Sequence, residues 1–302
     1  MLILSIIETF AAGFEEYKMV FKHQISNPSL SNTFYIIPII CLITFLMELY
    51  LPRKMNYDPI KRKGFALDLF YVIFIDFLLM VIGFYAFAKV AEYVFQLIMG
   101  SFGVTDFLIY DITQLNGIIQ FLIIFVVLDF MQWLGHFLLH RINFLWNFHK
   151  IHHAQEDLGF ASTRRFHWME YFVFKPLLYV PFILLNVPLS EFLVIYLWVG
   201  LSFTFFSHTN VRVKWKWFNY IFITPETHYW HHAMNIPEKN RYGVNFASVL
   251  TLWDHLFGYF YYPRESDQLT PKLGVSDQKR MPTTFIGQMI QPFRIAFSKK
   301  KK

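Results

Sequence analysis

The residues best equipped for chemistry in this chain are its histidines. His136, His140, His149, His152 and His153 fall within eighteen residues, HFLLHRINFLWNFHKIHH, at the end of a long apolar run. A second HxxHH follows at His228, His231 and His232. Helix positions four apart share a face, so His136 and His140 point at one place, and each HxxHH is expected to present three rings to one side. Imidazole suits iron, zinc, copper or nickel, and eight such rings exceed the needs of one tetrahedral zinc, so two metals are the natural count. Cys41 is the only cysteine and lies in an apolar run, which excludes a thiolate site and a disulfide framework. A lone histidine in an apolar stretch is ordinarily a satisfied core group. Repetition of one spacing at two distant places in so apolar a chain is what lifts this cluster above that reading.

The elements that must position the histidines are helical and membrane-bound. The chain has 302 residues, of which 55% are hydrophobic, 21% aromatic and only 16% charged, a composition too apolar for a soluble fold. An all-α, polytopic integral membrane helical bundle is expected, with the histidine-rich di-metal cap at its cytosolic face. An N-terminal membrane region, residues 1–116, carries spans near 34–51 and 65–87. A histidine-bearing region, residues 117–262, carries spans near 117–140, 171–187 and 191–206, and a basic tail fills 263–302. Residues 88–99 either extend the second span or lie in the interface. The opening MLILSIIETFAAGF has no basic residue before it, so a short interfacial or partly inserted helix is expected rather than a removable signal peptide.

The net charge of +6 gathers in particular loops and at the C-terminus, which points to an anionic membrane face and not to nucleic acid. Arg53, Lys54, Lys61, Arg62 and Lys63 mark the loop after the first span as cytoplasmic, and no Lys or Arg follows Lys89 until past Gly135. The chain turns basic again through Arg212, Lys214 and Lys216, so both histidine clusters face the cytoplasm. Arg294 and Lys299 to Lys302 are expected to meet anionic head groups. Glu48, Asp68 and Asp76 lie within or at the ends of spans and are expected to serve interhelical hydrogen bonding or helix ends.

The chain resembles the fatty acid hydroxylase and sterol desaturase superfamily of membrane di-iron oxygenases. The resemblance rests on HxxxH at His136 and His140 followed by Arg141, on Leu145-Trp146-x-Phe148-His149-x-x-His152-His153, and on the second HxxHH. It extends to His208 in SHTN, to Tyr242-Gly243-Val244-Asn245 and to Trp253-Asp254-x-Leu256-Phe257-Gly258, and so runs from Asp129 to Tyr259. It implies two Fe ions held by the histidines, with O2 as co-substrate, attacking an unactivated C–H bond of a fatty acyl, sterol or related lipid by hydroxylation or desaturation. Lys299 to Lys302 also resemble a di-lysine endoplasmic reticulum retrieval signal, so an endoplasmic reticulum location is expected if the source is eukaryotic and the inner membrane if it is bacterial. His208 becomes a ninth ligand by resemblance, with a capping or core role left open. Arg241 replaces a frequent Asn, Tyr259 a Thr, and His255 stands where a basic residue is common and is not counted as a ligand. The segment Arg165 to Glu170 resembles an RxHPxE element without its proline, which leaves the local turn open.

Behind the ligands, Glu170, Asn245 and Asp254 are expected to support the rings, and His167 is expected either to join the ligands or to support them. Asp129 sits seven residues before His136, about 10 Å along the same helix face, too far to share its metal. It is expected instead to orient a ring nitrogen of a histidine on another helix, and Glu226 either does the same or is a solvated loop charge. Trp133, Phe137, Phe144, Trp146, Phe148, Tyr229 and Trp230 surround the clusters and would suit an apolar pocket for an acyl chain or sterol, although aromatics beside a membrane commonly serve as belt or core. Which side chains beyond the metal centre are catalytic is left open. No GxGxxG or haem motif is present, so electrons must come from an external donor such as a cytochrome b5-like or ferredoxin-type protein with its reductase. Two rivals use the same histidines: a zinc-dependent membrane hydrolase acting through metal-bound hydroxide, and a non-catalytic metal-binding membrane protein.

Overall fold

The computed structural model describes residues 2–54, 56–81, 83–104, 106–188, 191–213, 215–236, 240, 242–262 and 271–297. Lys214, Arg241 and Lys299 to Lys302 therefore lie outside the described residues. No strand occurs among the described residues, and only three isolated bridges join extended segments. Twelve α-helices are described: α1 Leu2–Ser26, α2 Thr33–Tyr50, α3 Phe65–Val81, α4 Phe84–Ser101, α5 Gly117–Arg141, α6 Asn143–His153, α7 Tyr171–Leu185, α8 Glu191–Ser207, α9 Lys216–Ile221, α10 Pro225–His231, α11 Leu252–Phe257 and α12 Phe285–Phe297.

The helix starts follow from local chemistry. Asn32 and Asn116 cap α2 and α5 by accepting from the backbone N–H of Phe34 and Ile119, and Thr224 caps α10, where Pro225 supplies a preset first-turn φ. The expected span at 65–87 is not one helix. The chain turns at Gly83, in the left-handed region with φ 68°, and α4 leaves to pack along α1, so the first helix is a full partner in the fold and not a short segment.

Two helical stretches, Gly117–Arg141 and Trp168–Leu185, are long and apolar enough to cross a membrane by length and composition. The other expected spans correspond to helices α2, α3 and α8, of 18, 17 and 17 residues. Leu42 on α2, Ile73 on α3 and Ile118 and Leu122 on α5 point outward and are exposed, so the bundle carries apolar surface on its outside as well as in its core.

Helix α5 is central and packs on α6, α7 and α8. Ile124 and Leu128 of α5 meet Tyr196 of α8 and Val187 after α7, while Ile36, Ile37 and Ile40 of α2 meet Phe205 of α8. The α5–α7 crossing is made possible by Gly135, because a Cβ there would lie 2.7 Å from the Phe174 ring. The crossing therefore falls one residue from His136.

The three acids in or near spans pin the segment between α6 and α7. Glu48 accepts from the backbone N–H of Phe160 and Asn210, at 2.7 and 2.9 Å. Asp68 pairs with Arg62 at 2.7 Å and Arg165 at 2.9 Å, all buried, and Asp76 takes Arg164 Nη2 on both oxygens at 2.7 Å. Their roles are tertiary ties, as expected of them.

Candidate metal centre

Nine histidines come together in two groups. His136, His140, His149, His153 and His231 form one, and His152, His208, His228 and His232 the other; within each group the candidate ligand atoms lie within 4.8 Å of one another. The groups are adjacent, since the His153 and His232 rings stack at 4.3 Å.

Each HxxHH is divided between the groups, and does not present three rings to one side as the spacing suggested. His149 and His153 join the five-ring group while His152 joins the four-ring group; His228 and His232 join the four-ring group while His231 joins the five-ring group. The reason is helical geometry: at 3.6 residues per turn, adjacent positions diverge by about 100°, so only the pair four apart stays on one face. The two motifs thus interlock, each lending one ring to the other's group.

A frame of acceptors fixes the five-ring group. His140 Nδ1 donates to Tyr242 O at 3.0 Å, His231 Nδ1 to Val244 O at 2.8 Å and His136 Nδ1 to Phe246 O at 3.0 Å, so alternate carbonyls of one short stretch hold three rings. His149 Nδ1 donates to Glu170 Oε2 at 2.8 Å. A carbonyl only accepts, so each carbonyl-anchored ring carries its proton on Nδ1 and, when neutral, turns an unprotonated Nε2 inward. The Nε2 atoms of all five rings are buried and have no hydrogen-bond partner among the described residues. Lone pairs converging in this way are costly unless a cation sits among them.

The four-ring group is arranged otherwise. His208 Nε2 lies 3.1 Å from His152 Nε2 and 3.0 Å from His228 Nε2, and His232 Nε2 lies 3.2 Å from His228 Nε2. Metal–nitrogen bonds of about 2.0–2.1 Å place neighbouring donors roughly 3 Å apart, so these separations fit a shared cation. His152 Nδ1 donates to Arg165 O at 3.1 Å and His208 Nδ1 to Thr204 O at 2.7 Å, whereas the buried Nδ1 atoms of His228 and His232 have no partner among the described residues. Burial holds the pKa of His149, His152, His153, His228, His231 and His232 well below the usual histidine range, and that of His208 at about 4, so the rings are neutral donors at physiological pH.

The remaining expected residues divide by what they touch. Glu170 spends its second oxygen on the His167 N–H at 2.9 Å. The turn left open by the missing proline closes because His167 Nδ1 accepts from Met169 N at 3.1 Å, while His167 Nε2 donates to Met289 O at 3.0 Å. The His167 ring thus braces α12 and does not reach a ligand ring. Asp254 accepts from Phe246 N at 2.9 Å, Ala247 N at 3.0 Å and Trp133 Nε1 at 2.9 Å, setting the carbonyl that holds His136. Burial pushes its pKa up to about 6 against the pull of those donors. Asn245, at φ 55°, bonds Thr227 O and Tyr261 O and accepts from Tyr261 N, fixing the same stretch.

Two expectations are corrected. Asp129 orients no histidine, because its carboxylate sits beside the 249–253 segment and accepts from Val249 N, Leu250 N and Trp253 Nε1. Glu226 is neither a ring partner nor a solvated charge; it is buried against Arg53 at 3.0 Å and the Val213 N–H. His255 bonds Tyr220 O and stays away from both groups. The carbonyl frame itself went unseen, since carbonyl acceptors leave no trace in residue identity; Gly243, at φ 121° with its would-be Cβ 3.1 Å from His140 Nδ1, was the available signal.

A cavity of about 330 Å3 reaches His136 and His149 of one group and His152, His208 and His228 of the other, walled by Phe166, Phe174, Leu178 and Leu201. A second, of about 350 Å3, reaches His140, His153 and His231 beside Trp146 and Tyr242. Of the aromatics singled out in the sequence, Trp146 packs on His140 and His153, at 4.9 and 5.1 Å.

Residues 121–259 match the family model described as fatty acid hydroxylase. The chain is 32% identical over 171 residues to ornithine lipid hydroxylase OlsE of Rhizobium tropici, a match covering 56% of this chain and 48% of that protein. It is 31% identical over 138 residues to alkylglycerol monooxygenase of Homo sapiens, covering 45% and 29%, and 29% identical over 150 residues to that of Xenopus tropicalis, covering 47% and 30%. The match thus spans about half the length of the first relative and under a third of the other two. No solved structure matches.

Proposed function

Because the chain carries a fatty acid hydroxylase domain over residues 121–259, we propose that it is a membrane-bound oxidoreductase that hydroxylates a lipid with O2 at a pair of irons, one in each histidine group. The observation that carries this reading is the set of five buried Nε2 atoms without a partner among the described residues and the three 3.0–3.2 Å contacts among the other four rings, beside an apolar-walled cavity. Nine nitrogen donors without a thiolate suit iron, and the hydroxylase and monooxygenase names of the relatives favour oxygen insertion over hydrolysis. When bound, the irons supply activation of O2 and attack on the C–H bond.

The chain's own residues do the rest. Phe174, Leu178 and Leu201 line the cavity and align an alkyl chain while keeping water from the rings. The carbonyls of Tyr242, Val244 and Phe246 and the Glu170 carboxylate hold the Nδ1 protons and aim the rings. Helices α5 and α7 embed in the bilayer, with the histidine end facing the cytoplasm. That orientation is supported by the basic loop after α2, whose Arg53, Lys54 and Lys63 pair with Glu226, Asp157 and Glu156 beside the histidine segments. An external one-electron protein donor supplies the electrons.

The test is turnover of cell lipids by the anaerobically purified chain on addition of isotopically labelled O2 and a reducing partner. The proposal expects label in a hydroxylated lipid. Turnover independent of O2, with zinc in the protein, would replace it with a hydrolase.

A further inference from the structure

Much of the polar wall of the first cavity is already engaged. The Thr163, Thr204 and Ser207 hydroxyls donate to the carbonyls of Phe160, Gly200 and Thr204, at 3.0, 2.7 and 3.0 Å. Glu170 commits one oxygen to His149 and the other to the His167 N–H. Two neutral side chains on the same wall differ: the Gln132 carboxamide and the Ser248 hydroxyl have no hydrogen-bond partner among the described residues. Both belong to the α5 side of the cavity. Gln132 is one turn before His136, on the same helix face and about 6 Å along the axis. Ser248 is brought against that helix by its neighbour, because the Val249 backbone N–H donates at 3.1 Å to Asp129, three residues before Gln132. A carboxamide facing Phe174, Leu178 and Leu201 loses its hydrogen bonds to water when an alkyl chain fills the cavity, unless the chain brings a polar group of its own.

We infer that Gln132 and Ser248 select the polar linkage of the substrate: the cavity takes an alkyl chain joined to a neutral group that both donates and accepts hydrogen bonds, a secondary amide or a hydroxyl, and holds that group about one helical turn from His136. A carboxamide and a hydroxyl each offer a donor and an acceptor. The pair therefore satisfies both halves of such a group, but only the accepting half of an ester or ether. The inference rests on the lipid-oxidation reading for its meaning, and its test does not need turnover.

The experiment measures binding of N-methyldodecanamide, tridecan-1-ol, methyl dodecanoate and tetradecane to the full chain as purified, in a non-ionic detergent, without O2 or reductant. The unaltered chain is expected to prefer the amide or the alcohol over the ester, which only accepts, by about fivefold or more; which of the two wins identifies the linkage. Gln132→Met, of similar length, should abolish the preference while tetradecane still binds. Ser248→Ala should weaken the preference and Ser248→Thr should keep most of it. Leu178→Trp, which fills the cavity, should abolish binding of the preferred probe. Equal affinity for amide, alcohol and ester, a preference that survives Gln132→Met, or binding that survives Leu178→Trp would each overturn the inference. Should Gln132→Met lose tetradecane as well, Ser248→Ala decides, and an undiminished preference there overturns it. Failure of lipid oxidation with the preference intact would remove the proposed function and leave the binding site standing; absence of the preference with oxidation intact would do the reverse.

Discussion

The five-ring and four-ring groups draw on the same HxxHH motif but are supported in different ways. In the five-ring group, four rings are fixed from behind by Tyr242, Val244 and Phe246 carbonyls and by Glu170, and the inward nitrogens have no partner among the described residues. In the four-ring group, among the described residues, only His152 and His208 are fixed from behind, by the Arg165 and Thr204 carbonyls, and the inward nitrogens crowd one another. The first group is preorganised by the polypeptide; in the second, a bound ion would be what keeps His228 and His232 in place. Ring tautomer and aim are set by what lies behind the metal, so equal motifs need not make equal sites.

The largest effect should come from the crossing rings. His231→Ala removes a donor from the five-ring group and His152→Ala from the four-ring group. Each should abolish turnover and lower metal affinity by more than about 100-fold, above the range for losing a residue behind a ligand. Metal titration of the two variants should show each losing mainly its own group's ion, and identical losses would break the distinction between the groups.

Next comes Glu170→Gln, which keeps the shape but offers one oxygen where the carboxylate gave two. Affinity at the five-ring group should fall by about 10–100-fold with the four-ring group spared. Calorimetric titration of the metal-depleted protein checks this, and an equal loss at both groups would mean that the frame does not act locally.

A smaller effect is expected for Gly243→Ala. At φ 121°, with a Cβ 2.9 Å from the Phe246 ring and 3.1 Å from His140 Nδ1, the alanine must strain the carbonyl frame, at a cost of about 1–3 kcal/mol. Thermal unfolding should report that loss, together with weaker metal binding at the five-ring group alone.

Acidification of the metal-free protein should give the mildest response at first. His208 has a folded pKa of about 4, against about 6.5 when unfolded. Above the unfolded value both states are neutral and the ring has no pH-dependent effect. As pH falls below it, the unfolded chain takes up protons that the folded one refuses, and stability drops by up to about 1.4 kcal/mol per pH unit for each such ring until the folded pKa is reached. Chemical denaturation from pH 7 to 5 checks the sign, and His208→Gln should reduce the slope.

The histidines were legible because spacing of four writes a helical face into the sequence, and the helix that carries His136 and His140 could be read from its apolar run. That each HxxHH divides follows from the same spacing, but which rings of the two motifs then meet was not legible, because it depends on how α6 and α10 lie across the end of α5. Asp129 was misplaced for the same reason: its helix level was correct, but what faces it there is the 249–253 segment and not a histidine. The 65–87 run was too long because apolarity continues through Gly83 while the backbone does not. The carbonyl frame left no mark beyond Gly243, since every residue has a carbonyl and only the fold decides where it points.

The most direct test of two sites built from divided motifs is the metal content of anaerobically purified protein, measured per chain together with that of His208→Ala. Two irons per chain are predicted, with the four-ring iron lost and the five-ring iron kept in the variant. A single metal ion in the unaltered chain, or two zincs, would contradict the account.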